Sequence, residues 1–310
     1  MFSNKGKVLV TGGAGFIGSH QVDLLLKEGY KVVVVDDLST GQKENLSEDV
    51  PFYQVDIRDA ELAEVFKKEK PDYVFHFAAQ INVNHSVADP IFDADVNIIG
   101  SLNLLDNCVD YGVKKIMFSS TGGALYGEAE IVPTPEEYPC APLSPYGIAK
   151  LSVENYIRFY AENKGLNYGI MRYANVYGPR QNSKGEAGVV AIFAEKMLAG
   201  EHPVIHGDGH QTRDFVYVSD VVAANLLVLQ SDRNDTYNVG TGRQTTVNEI
   251  FKLVQECLDK DFNPKHVDVF SGQKVSCLSA KKIKENLGWS PKVSMEDGVE
   301  KTVAWFINRT

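Results

Sequence analysis

The chain has 310 residues, of which 44% are hydrophobic and 23% charged, a composition typical of a globular protein with one large domain and a smaller companion. Its net charge of −10 opposes nonspecific binding to nucleic acid. The four cysteines form no C-x-x-C pair, no apolar run approaches the ~20 residues of a membrane span, and residues 1–7 lack the apolar segment of a secretory signal. We therefore expect a cytoplasmic protein with free thiols, no metal ion, and neither nucleic acid nor membrane as a partner.

Short apolar runs alternate with helical patterns through the first half of the chain. The runs predict buried strands, and the stretches between them have the apolar spacing of helices. This alternation predicts right-handed crossovers and a parallel sheet covered on both faces, which is a doubly wound α/β fold. The predicted strands are residues 7–11, 31–35, 52–55, 73–77, 115–119 and 168–171, and the predicted helices are 19–28, 60–68 and 97–111.

A second, smaller lobe of mixed α/β character is predicted after about residue 175, where Gly-, Pro- and Asn-rich stretches interrupt the regular alternation. We assign residues 1–175 to the first lobe and most of 176–310 to the second. Because residues 212–218 have the strand character of the first lobe, segments near 212–235 are expected to return to it. Further helices are predicted at 189–199, 218–230, 247–258 and 295–308.

A glycine-rich turn follows the first predicted strand. Glycines stand at positions one, four and seven of the segment Gly12-Gly13-Ala14-Gly15-Phe16-Ile17-Gly18, directly before a predicted helix. Glycines allow a tight turn and a close approach of the backbone to a pyrophosphate, which the amides and positive dipole end of the helix attract. The turn predicts a dinucleotide site on a Rossmann-like fold; the alternative is a plain strand-to-helix turn.

Acidic residues follow the second predicted strand. Asp36 stands where a carboxylate accepts hydrogen bonds from an adenosine ribose and repels a 2′-phosphate. The residues from Asp37 to Gly41 include no Arg or Lys that would receive such a phosphate. NAD is therefore predicted in preference to NADP, and the alternative for Asp37 is a solvated surface carboxylate.

Tyr146 and Lys150 are four residues apart, so a helix would place the phenol and the ammonium on the same face. Lowering the pKa of a phenol from about 10 by some three units takes about 4 kcal/mol of preferential phenolate stabilisation. The Lys150 ammonium and the positive nicotinamide ring of an oxidised cofactor would supply it, which makes Tyr146 a candidate general base at an alcohol. In isolation, the same spacing also arises by chance on amphipathic helices.

Six segments together resemble the extended short-chain dehydrogenase/reductase family, and within it the UDP-glucose 4-epimerases and related nucleotide-sugar enzymes. The resemblance covers nearly the whole chain. It implies NAD as cofactor, a nucleotide sugar of the UDP-hexose type as substrate, and a homodimer formed through helices near 102–111 and 152–160. The segments are 11–18, 56–59, 119–127, 146–150, 172–180 and 211–215.

The resemblance also implies cofactor contacts beyond the glycine turn. Asp56 would hold the adenine amino group, its alternative being a cap for the following helix, and Tyr173 would lie near the nicotinamide. His76, which precedes the small-residue turn at Ala78, is interpreted as a core histidine. The full cofactor set is Gly12, Gly15, Phe16, Ile17, Gly18, Asp36, Asp37, Thr40, Gly41, Asp56, Ile57, Ala78, Ala79, Asn97, Tyr146, Lys150 and Tyr173.

The turn after the fifth predicted strand supplies the remaining catalytic residue of the set Thr121, Tyr146 and Lys150. By the resemblance, Thr121 would hydrogen-bond the reacting oxygen, with Ser120 as the alternative. Related 4,6-dehydratases carry an Asp-Glu pair where this chain has Gly122-Gly123, which disfavours water elimination. The implied reaction is 4-epimerisation: Tyr146 takes the proton of the C4 hydroxyl, and C4 passes a hydride to NAD and receives it back on the other face of a transient 4-keto sugar.

Substrate contacts are implied at Thr121, Tyr146, Asn175, Val189 and Arg213. Asn175 would bind the diphosphate or the sugar, the Val189 region would offer backbone donors, and Arg213 would clamp the diphosphate. The alternative for Arg213 is an ion pair with Asp214 or Asp220.

The chain departs from its relatives near residues 269–272, where they carry a second diphosphate-binding arginine and this chain has none. Lys274 and His266 are the candidate substitutes, although a lysine lacks the planar fork of arginine. The position that controls room at sugar C2 falls on Ser276 or Cys277, both small. We hypothesise that N-acetylated hexosamines are accepted beside plain hexoses.

Two other interpretations share the fold. A nucleotide-sugar decarboxylase, dehydratase or reductase would keep Tyr146 and Lys150 but form another product. A noncatalytic NAD-sensing protein would be expected to lack one of the two residues. Both are present, so the sequence predicts an enzyme.

Overall fold

The computed structural model describes residues 5–183, 188–268 and 273–309; the segment 269–272, where the resemblance leads us to expect a second arginine that the sequence lacks, lies outside these ranges. Within them, the strands are β1 (Lys7–Thr11), β2 (Lys31–Val35), β3 (Phe52–Tyr53), β4 (Tyr73–His76), β5 (Lys115–Thr121), β6 (Asn167–Tyr173), β7 (Asn175–Tyr177), β8 (Val204–His206), β9 (Thr212–Arg213), β10 (Phe215–Tyr217), β11 (Asp235–Val239), β12 (Thr245–Thr246), β13 (Lys265–Val267) and β14 (Val275–Ser276). The helices are α1 (Phe16–Lys27), α2 (Glu61–Glu69), α3 (Val83–Ala88), α4 (Pro90–Ala94), α5 (Gly100–Asp110), α6 (Pro145–Lys164), α7 (Val189–Leu198), α8 (Val218–Gln230), α9 (Val247–Leu258), α10 (Lys281–Leu287) and α11 (Met295–Arg309).

A parallel sheet of seven described strands forms the centre of the molecule, in the order β3-β2-β1-β4-β5-β6-β11. The strand order reverses beside β1, since β2 and β3 extend the sheet to one side and β4, β5 and β6 to the other. In such sheets ligands bind at the carboxyl ends of the strands beside this reversal. The predicted doubly wound, Rossmann-like α/β fold is confirmed.

Each face of the sheet has its own apolar core because neighbouring side chains on a strand point in opposite directions. Val8 and Val10 on β1 pack with Val22 of α1 and Val221 of α8. Leu9, between them, belongs to the core on the other face, formed by α2, α5 and α6. Helix α6 is thereby held against the sheet by Val153, Ile157 and Tyr160.

The prediction that residues 212–218 form a strand of the main sheet is wrong. Asp214 divides the segment: its backbone N–H donates to the Ser276 carbonyl at 2.9 Å, and its carbonyl accepts from the Asn175 N–H at 2.8 Å. As a result, β9 pairs with β12 and β14, and β10 pairs with β7, all outside the main sheet.

The chain returns to the main sheet through α8 and β11 instead. Strand β11, with the sequence Asp-Thr-Tyr-Asn-Val, was not predicted because it has no continuous apolar run. Its Asn238 is fully buried and accepts a hydrogen bond from the Tyr126 hydroxyl at 2.9 Å. Strand β11 is therefore placed by a long-range hydrogen bond to Tyr126 rather than by an apolar pattern in its sequence.

The predicted helix at 97–111 also differs in detail. A π-helical turn at Asp95–Ile99 precedes α5, and two short helices, α3 and α4, come before it. Asp89 begins α4 by accepting from the Phe92 N–H, and proline follows it at the first helical position.

In the described ranges, no helix combines the length and the apolar character that crossing a membrane would require.

Candidate active site

A cavity of about 860 Å³ opens where β1, β2, β4, β5 and β6 end. Most of the predicted site residues lie on its wall. Outside the wall are four of them: Gly41, Asn97, Val189 and Arg213. On the wall are Gly12, Gly15, Phe16, Ile17, Gly18, Asp36, Asp37, Thr40, Asp56, Ile57, Ala78, Ala79, Thr121, Tyr146, Lys150, Tyr173 and Asn175.

The glycine turn joins β1 to α1, and two of its glycines are required by close backbone contacts. A methyl group on Gly18 would lie 2.1 Å from the Gly12 carbonyl oxygen, and one on Gly12, whose φ is +66°, would lie 2.6 Å from the Ala78 nitrogen. Gly15 is the N-cap of α1 and has no side chain to cap the helix. The first amides of α1 therefore remain available to a diphosphate at the cavity.

Asp36 is nearly buried at the end of β2 and already shapes its own turn. Its carboxylate accepts from the backbone N–H groups of Ala14 and Leu38, both at 2.9 Å. Burial raises the pKa of Asp36. A methyl group on Gly41 would lie 2.7 Å from a carboxylate oxygen of Asp36, so Gly41 allows this close approach rather than lining the cavity.

Asp56 does not cap the following helix, whose N-cap is Ala60 without a side-chain bond. Its carboxylate instead accepts from Arg58 Nε at 3.0 Å and Nη2 at 2.6 Å, and Arg58 Nη1 reaches Asp95 at 2.7 Å. The hydrogen bonds from Arg58 lower the pKa of Asp56. Asp56 is therefore held ionised and fixed at the wall of the cavity.

Asn97 supports the wall from behind. Its amide oxygen accepts from the Gln80 N–H at 2.9 Å, and its amide nitrogen donates to the Gln80 carbonyl at 2.9 Å and to Asp93 at 3.0 Å. Gln80 itself lines the cavity directly after the Ala78-Ala79 turn. Sequence reasoning missed Gln80, although its position next to that turn was a usable signal.

His76 is a core histidine, as the sequence suggested. Its ring nitrogens lie 2.8 Å from the Thr11 hydroxyl and 2.9 Å from the Ser101 hydroxyl. Burial, and secondarily the charge of Lys150, lower the pKa of His76 to about 3. A neutral imidazole of this kind orders the ends of β1 and β4.

Tyr146 and Lys150 lie in the first turns of α6, both on the cavity wall. Ser144 caps this helix by accepting from the Gly147 N–H at 3.2 Å. Lys150 Nζ donates to the Ser119 carbonyl at 2.9 Å and lies 5.8 Å from the centre of the Tyr146 ring. Burial lowers the pKa of Lys150 to about 8, which leaves the ammonium mostly protonated at neutral pH.

The end of β5 separates the two candidate hydroxyls. Ser120 donates to Glu154 at 2.7 Å in the interior. Both residues line the cavity, but the Thr121 hydroxyl accepts from the Ala124 N–H at 3.3 Å, which leaves its own proton for a ligand, whereas the Ser120 proton is given to Glu154. The geometry favours Thr121 over Ser120 for contact with a reacting oxygen.

Leu278 fills the space beside Gly122. A methyl group on Gly122 would lie 2.3 Å from Leu278 Cδ1, whereas one on Gly123 would come no closer than 3.9 Å to Ser276 Oγ and Thr121 Oγ1. An acidic side chain at position 122 would collide with Leu278, which is itself buried. The arrangement here does not suit acid-assisted elimination.

Arg213 lies on β9, outside the described cavity wall, with Nη1 donating to the Thr212 carbonyl at 2.8 Å. The carboxylate of Asp214 accepts from Thr241, Gly242 and Leu278, and that of Asp220 accepts from the amides of Lys292 and Val293. Among the described residues, Arg213 therefore forms neither of the ion pairs considered as alternatives. Burial lowers the pKa of Arg213.

Ser276 and Cys277 point to different surroundings. Ser276 is the register partner of Arg213, and its hydroxyl lies across from Gly123 and Thr121. Cys277 Sγ lies 4.0 Å from the Asp214 carboxylate. Ser276 is thus the residue of the two whose side chain lies toward Gly123, although neither is on the described cavity wall.

The two candidate substitutes for the relatives' second arginine lie outside the described cavity wall. His266 Nδ1 lies 2.9 Å from the Gly207 carbonyl on the separate β8–β13 pair. The carbonyl of Lys274 accepts from the Thr212 N–H at 3.0 Å. Val189 begins α7, and its neighbours Gly188 and Val190 line the cavity.

Residues 8–240 match the family model of the NAD-dependent epimerase/dehydratase family. The chain belongs to this family. It is similar to a UDP-glucose 4-epimerase from Thermotoga maritima solved with UDP-glucose, with 54% identity, 98% of this chain and 99% of the other covered, and a TM-score of 0.96. It is also similar to the Thermus thermophilus UDP-glucose 4-epimerase solved with NAD, at 44% identity, 98% and 100% coverage, and a TM-score of 0.94.

A third similar structure is the UDP-N-acetylglucosamine 4-epimerase of Methanobrevibacter ruminantium in complex with UDP-N-acetylmuramic acid. It is 39% identical, with 99% of this chain and 100% of that chain covered, and a TM-score of 0.94. The cofactor of the epimerase/dehydratase family is NAD, and the residues present here fit it. Gly15, the uncapped start of α1 and Asp36 line the same cavity.

Glu154 is a site-supporting residue that sequence reasoning missed. It follows Lys150 by four residues, as Lys150 follows Tyr146, so a helical row was visible in the sequence. A buried partner for its carboxylate was not, because Arg172 and Ser120 lie on other elements.

Proposed function

We propose that the protein interconverts UDP-hexoses by inverting the hydroxyl at C4 of the sugar, with NAD as its resident cofactor. The observation that carries the proposal is that Tyr146 and Lys150 share one cavity with the glycine turn, while Leu278 fills the space beside Gly122. The similarity to the Thermotoga maritima protein, which was solved with UDP-glucose, supports the substrate class.

Tyr146 is assigned as the general base, which takes the proton of the C4 hydroxyl and later returns it. The Lys150 ammonium stabilises the phenolate, and the Thr121 hydroxyl donates to the same sugar oxygen. NAD, when bound, accepts a hydride from C4 and returns it to the opposite face. Because the reaction has no net redox change, the cofactor is expected to stay bound between turnovers.

The diphosphate is assigned to Asn175, to the first amides of α7 at Val189, and to Arg213. A helix start attracts phosphate through its amides and dipole, and a guanidinium binds it with charge-assisted hydrogen bonds. The partial burial of Arg213 supports this role, because a half-buried guanidinium that forms no ion pair among the described residues, and is offset only by the charge of Glu128, favours an incoming anion.

N-acetylated hexosamines are proposed as additional substrates. The small side chain of Ser276 leaves room beside Gly123 and Thr121. The similarity to the Methanobrevibacter ruminantium UDP-N-acetylglucosamine 4-epimerase supports the same extension. Strong activity on UDP-glucose together with inactivity on UDP-N-acetylglucosamine would contradict it.

A homodimer is also proposed. Large apolar side chains on α6 are exposed, with Ile148 and Phe159 both at 52% and Tyr156 at 40%, and Ile91 of α4 is 82% exposed. A contiguous apolar face of this kind is typical of an interface. Analytical ultracentrifugation should show a dimer that Phe159→Asp converts to a monomer.

The free thiols favour the cytoplasm as the compartment.

The test of the reaction is incubation of the purified protein with UDP-galactose, without added NAD, followed by chromatographic separation of UDP-glucose from UDP-galactose. Wild type should interconvert them, and Tyr146→Phe should be about 10³-fold slower because it lacks the acid–base group. If neither sugar is converted even after NAD is supplied, 4-epimerisation of UDP-hexoses is wrong, and a decarboxylase or reductase of the same family becomes the better assignment.

A further inference from the structure

The catalytic helix α6 carries a row of four charged or ionisable residues at a spacing of four: Tyr146, Lys150, Glu154 and Arg158. Residues at this spacing lie on one face of a helix. Tyr146 and Lys150 line the cavity, whereas Glu154 is completely buried and lies behind it. Burying a carboxylate is unfavourable unless other groups compensate its charge, so the partners of Glu154 indicate what it does.

Those partners come from three elements. Arg172 of β6 donates from Nε to Oε1 at 2.9 Å and from Nη2 to Oε2 at 2.7 Å, and Arg158 donates to Oε2 at 3.0 Å. Ser120 of β5 donates to Oε1 at 2.7 Å. Although burial opposes ionisation, the hydrogen bonds from Arg172 keep the pKa of Glu154 below its usual range.

Ser120 lies between two residues of the proposed catalytic machinery. The preceding carbonyl, that of Ser119, accepts from Lys150 Nζ at 2.9 Å, and the following side chain, that of Thr121, lines the cavity. The end of β5 is thus attached to α6 at consecutive residues, by Lys150 at Ser119 and by Glu154 at Ser120. Together these bonds fix how Thr121 stands relative to the Tyr146–Lys150 turn.

The same network reaches the other side of the hydroxyl-glycine turn. Arg172 is the register partner of Ser120 on the neighbouring strand, and its Nη1 donates to the Tyr126 hydroxyl at 2.8 Å. The Tyr126 hydroxyl in turn donates to Asn238 of β11 at 2.9 Å. Arg172 therefore bonds both to Glu154, which holds Ser120 just before the turn, and to Tyr126, which ends it. The turn from Gly122 to Tyr126 is held on both sides through Arg172.

We propose that Glu154 is a positioning residue for the reaction: through Ser120 it sets the end of β5 against α6, and so places the Lys150 ammonium and the Thr121 hydroxyl around the Tyr146 phenol. The inference rests on the proposed epimerase chemistry for the roles of Tyr146, Lys150 and Thr121. It gives Glu154, the third residue of the helical row, a role in the reaction and assigns Ser120 to positioning.

The test variant is Ser120→Ala, because Glu154 then keeps its ion pairs with Arg158 and Arg172 and the protein is expected to fold. Ser120→Thr restores a hydroxyl at the same place. Thr302→Val is the matched control, since it removes a buried hydroxyl that donates to the Gly298 carbonyl in α11, away from the site. For each purified protein we would measure kcat and KM for UDP-galactose, the melting temperature, and the titration of the Tyr146 phenol by ultraviolet difference absorbance against Tyr146→Phe.

Ser120→Ala should lower kcat about tenfold while KM stays within about twofold, because displacement of a catalytic group affects the chemical step. Its Tyr146 phenol should titrate about half a pH unit higher, since Lys150 stabilises the phenolate less well. Ser120→Thr should recover most of kcat, and Thr302→Val should change only the melting temperature.

Wild-type kcat and an unshifted phenol in Ser120→Ala would overturn the inference, as would equal losses of kcat in Ser120→Ala and Thr302→Val. The phenol titration needs no substrate. If the wild type failed to convert UDP-galactose, the proposed reaction would be wrong, whereas a shifted phenol in Ser120→Ala would still support the positioning of Lys150 by Glu154.

Discussion

The two halves of the cavity are built differently. The cofactor half is formed where β1, β2 and β4 end side by side, so that short runs of consecutive residues supply both the turns and the side chains. The proposed substrate half comprises Asn175 on the cavity wall and Arg213 and Ser276 outside it, and these three come from separate short strands. Residues of the cofactor half are placed mainly by short stretches of consecutive sequence. Residues of the substrate half are placed by hydrogen bonds between distant segments.

Asp214 shows how one side chain joins distant segments in the substrate half. Its buried carboxylate accepts from the Thr241 N–H at 2.8 Å, the Thr241 hydroxyl at 2.6 Å, the Gly242 N–H at 3.1 Å and the Leu278 N–H at 3.2 Å. One side chain therefore joins the segments that carry Arg213 and Ser276. The glycine turn of the cofactor half is held instead from the end of the adjacent strand β2, where the Val35 carbonyl accepts from the Gly12 N–H at 2.8 Å and the Asp36 carboxylate accepts from the Ala14 N–H at 2.9 Å.

The largest expected effect tests the cofactor half. Gly18→Ala places a methyl group 2.1 Å from the Gly12 carbonyl oxygen, and neither backbone can move without opening the turn. We expect the purified variant to retain about 100-fold less NAD, on the order of the loss of one or two charge-assisted contacts to the diphosphate. Bound NAD is measured by chromatography after the protein is denatured.

Gly123→Ala is the control for Gly18→Ala, since a methyl group there has room and lies on the sugar side. It should leave the NAD content unchanged. A full complement of NAD in Gly18→Ala would show that close packing at the turn does not govern cofactor binding.

A smaller effect tests the substrate half through Asp214→Asn. An amide presents donors where the carboxylate accepts, so the segments at Thr241 and Leu278 lose partners and Arg213 shifts with them. We expect KM for UDP-galactose to rise about thirtyfold, equivalent to about 2 kcal/mol, with NAD content unchanged. The melting temperature should also fall.

Asp208→Asn is the matched control, because the Asp208 carboxylate accepts a local bond, from the His210 N–H at 2.9 Å, in an exposed turn. If Asp214→Asn lost stability but bound UDP-galactose as tightly as the control, the role of Asp214 would be confined to folding.

The same contrast explains what the sequence could predict. The strands of the first half, the glycine turn and the Tyr146–Lys150 pair were all readable because each depends on a local pattern. Strand β11 and the interruption of the predicted strand 212–218 at Asp214 could not be predicted in this way. Asn238 and Asp214 are placed by partners more than twenty residues away along the chain. Which of Ser276 and Cys277 lies opposite Arg213 likewise depends on the register of β14 on β9, which the sequence does not show.

The catalytic turn between the two halves predicts a pH dependence. Lys150 has a pKa of about 8, lowered by burial and raised in part by Asp93 and Glu154, while the neighbouring His76 stays neutral. The protonated form of Lys150 is the active one, so kcat should fall about tenfold for each pH unit well above pH 8. On the acid side kcat should also fall, as the Tyr146 base becomes protonated. The measurement is kcat against pH at saturating UDP-galactose.

Lys115 provides the control, because burial also lowers its pKa to about 8. It lies at the opposite end of β5, where Nζ donates to the carbonyls of Val228 and Ser231. Lys115→Gln should keep the same alkaline decline in kcat. Loss of that decline in Lys115→Gln would assign it to unfolding of the C-terminus of α8 rather than to the active site.

The smallest expected effect separates Ser276 from Cys277 within the substrate half. Ser276→Leu adds volume on the side that faces Gly123 and Thr121, so it should crowd the N-acetyl group at C2 more than a hydroxyl. We expect kcat/KM for UDP-N-acetylglucosamine to fall about fivefold relative to UDP-galactose, or about 1 kcal/mol. Cys277→Ala, whose thiol lies toward Asp214, should leave that ratio unchanged. If Cys277→Ala altered the ratio and Ser276→Leu did not, the register of β14 would still hold, but the sugar would have to lie on the other side of the strand, against Asp214 rather than Gly123.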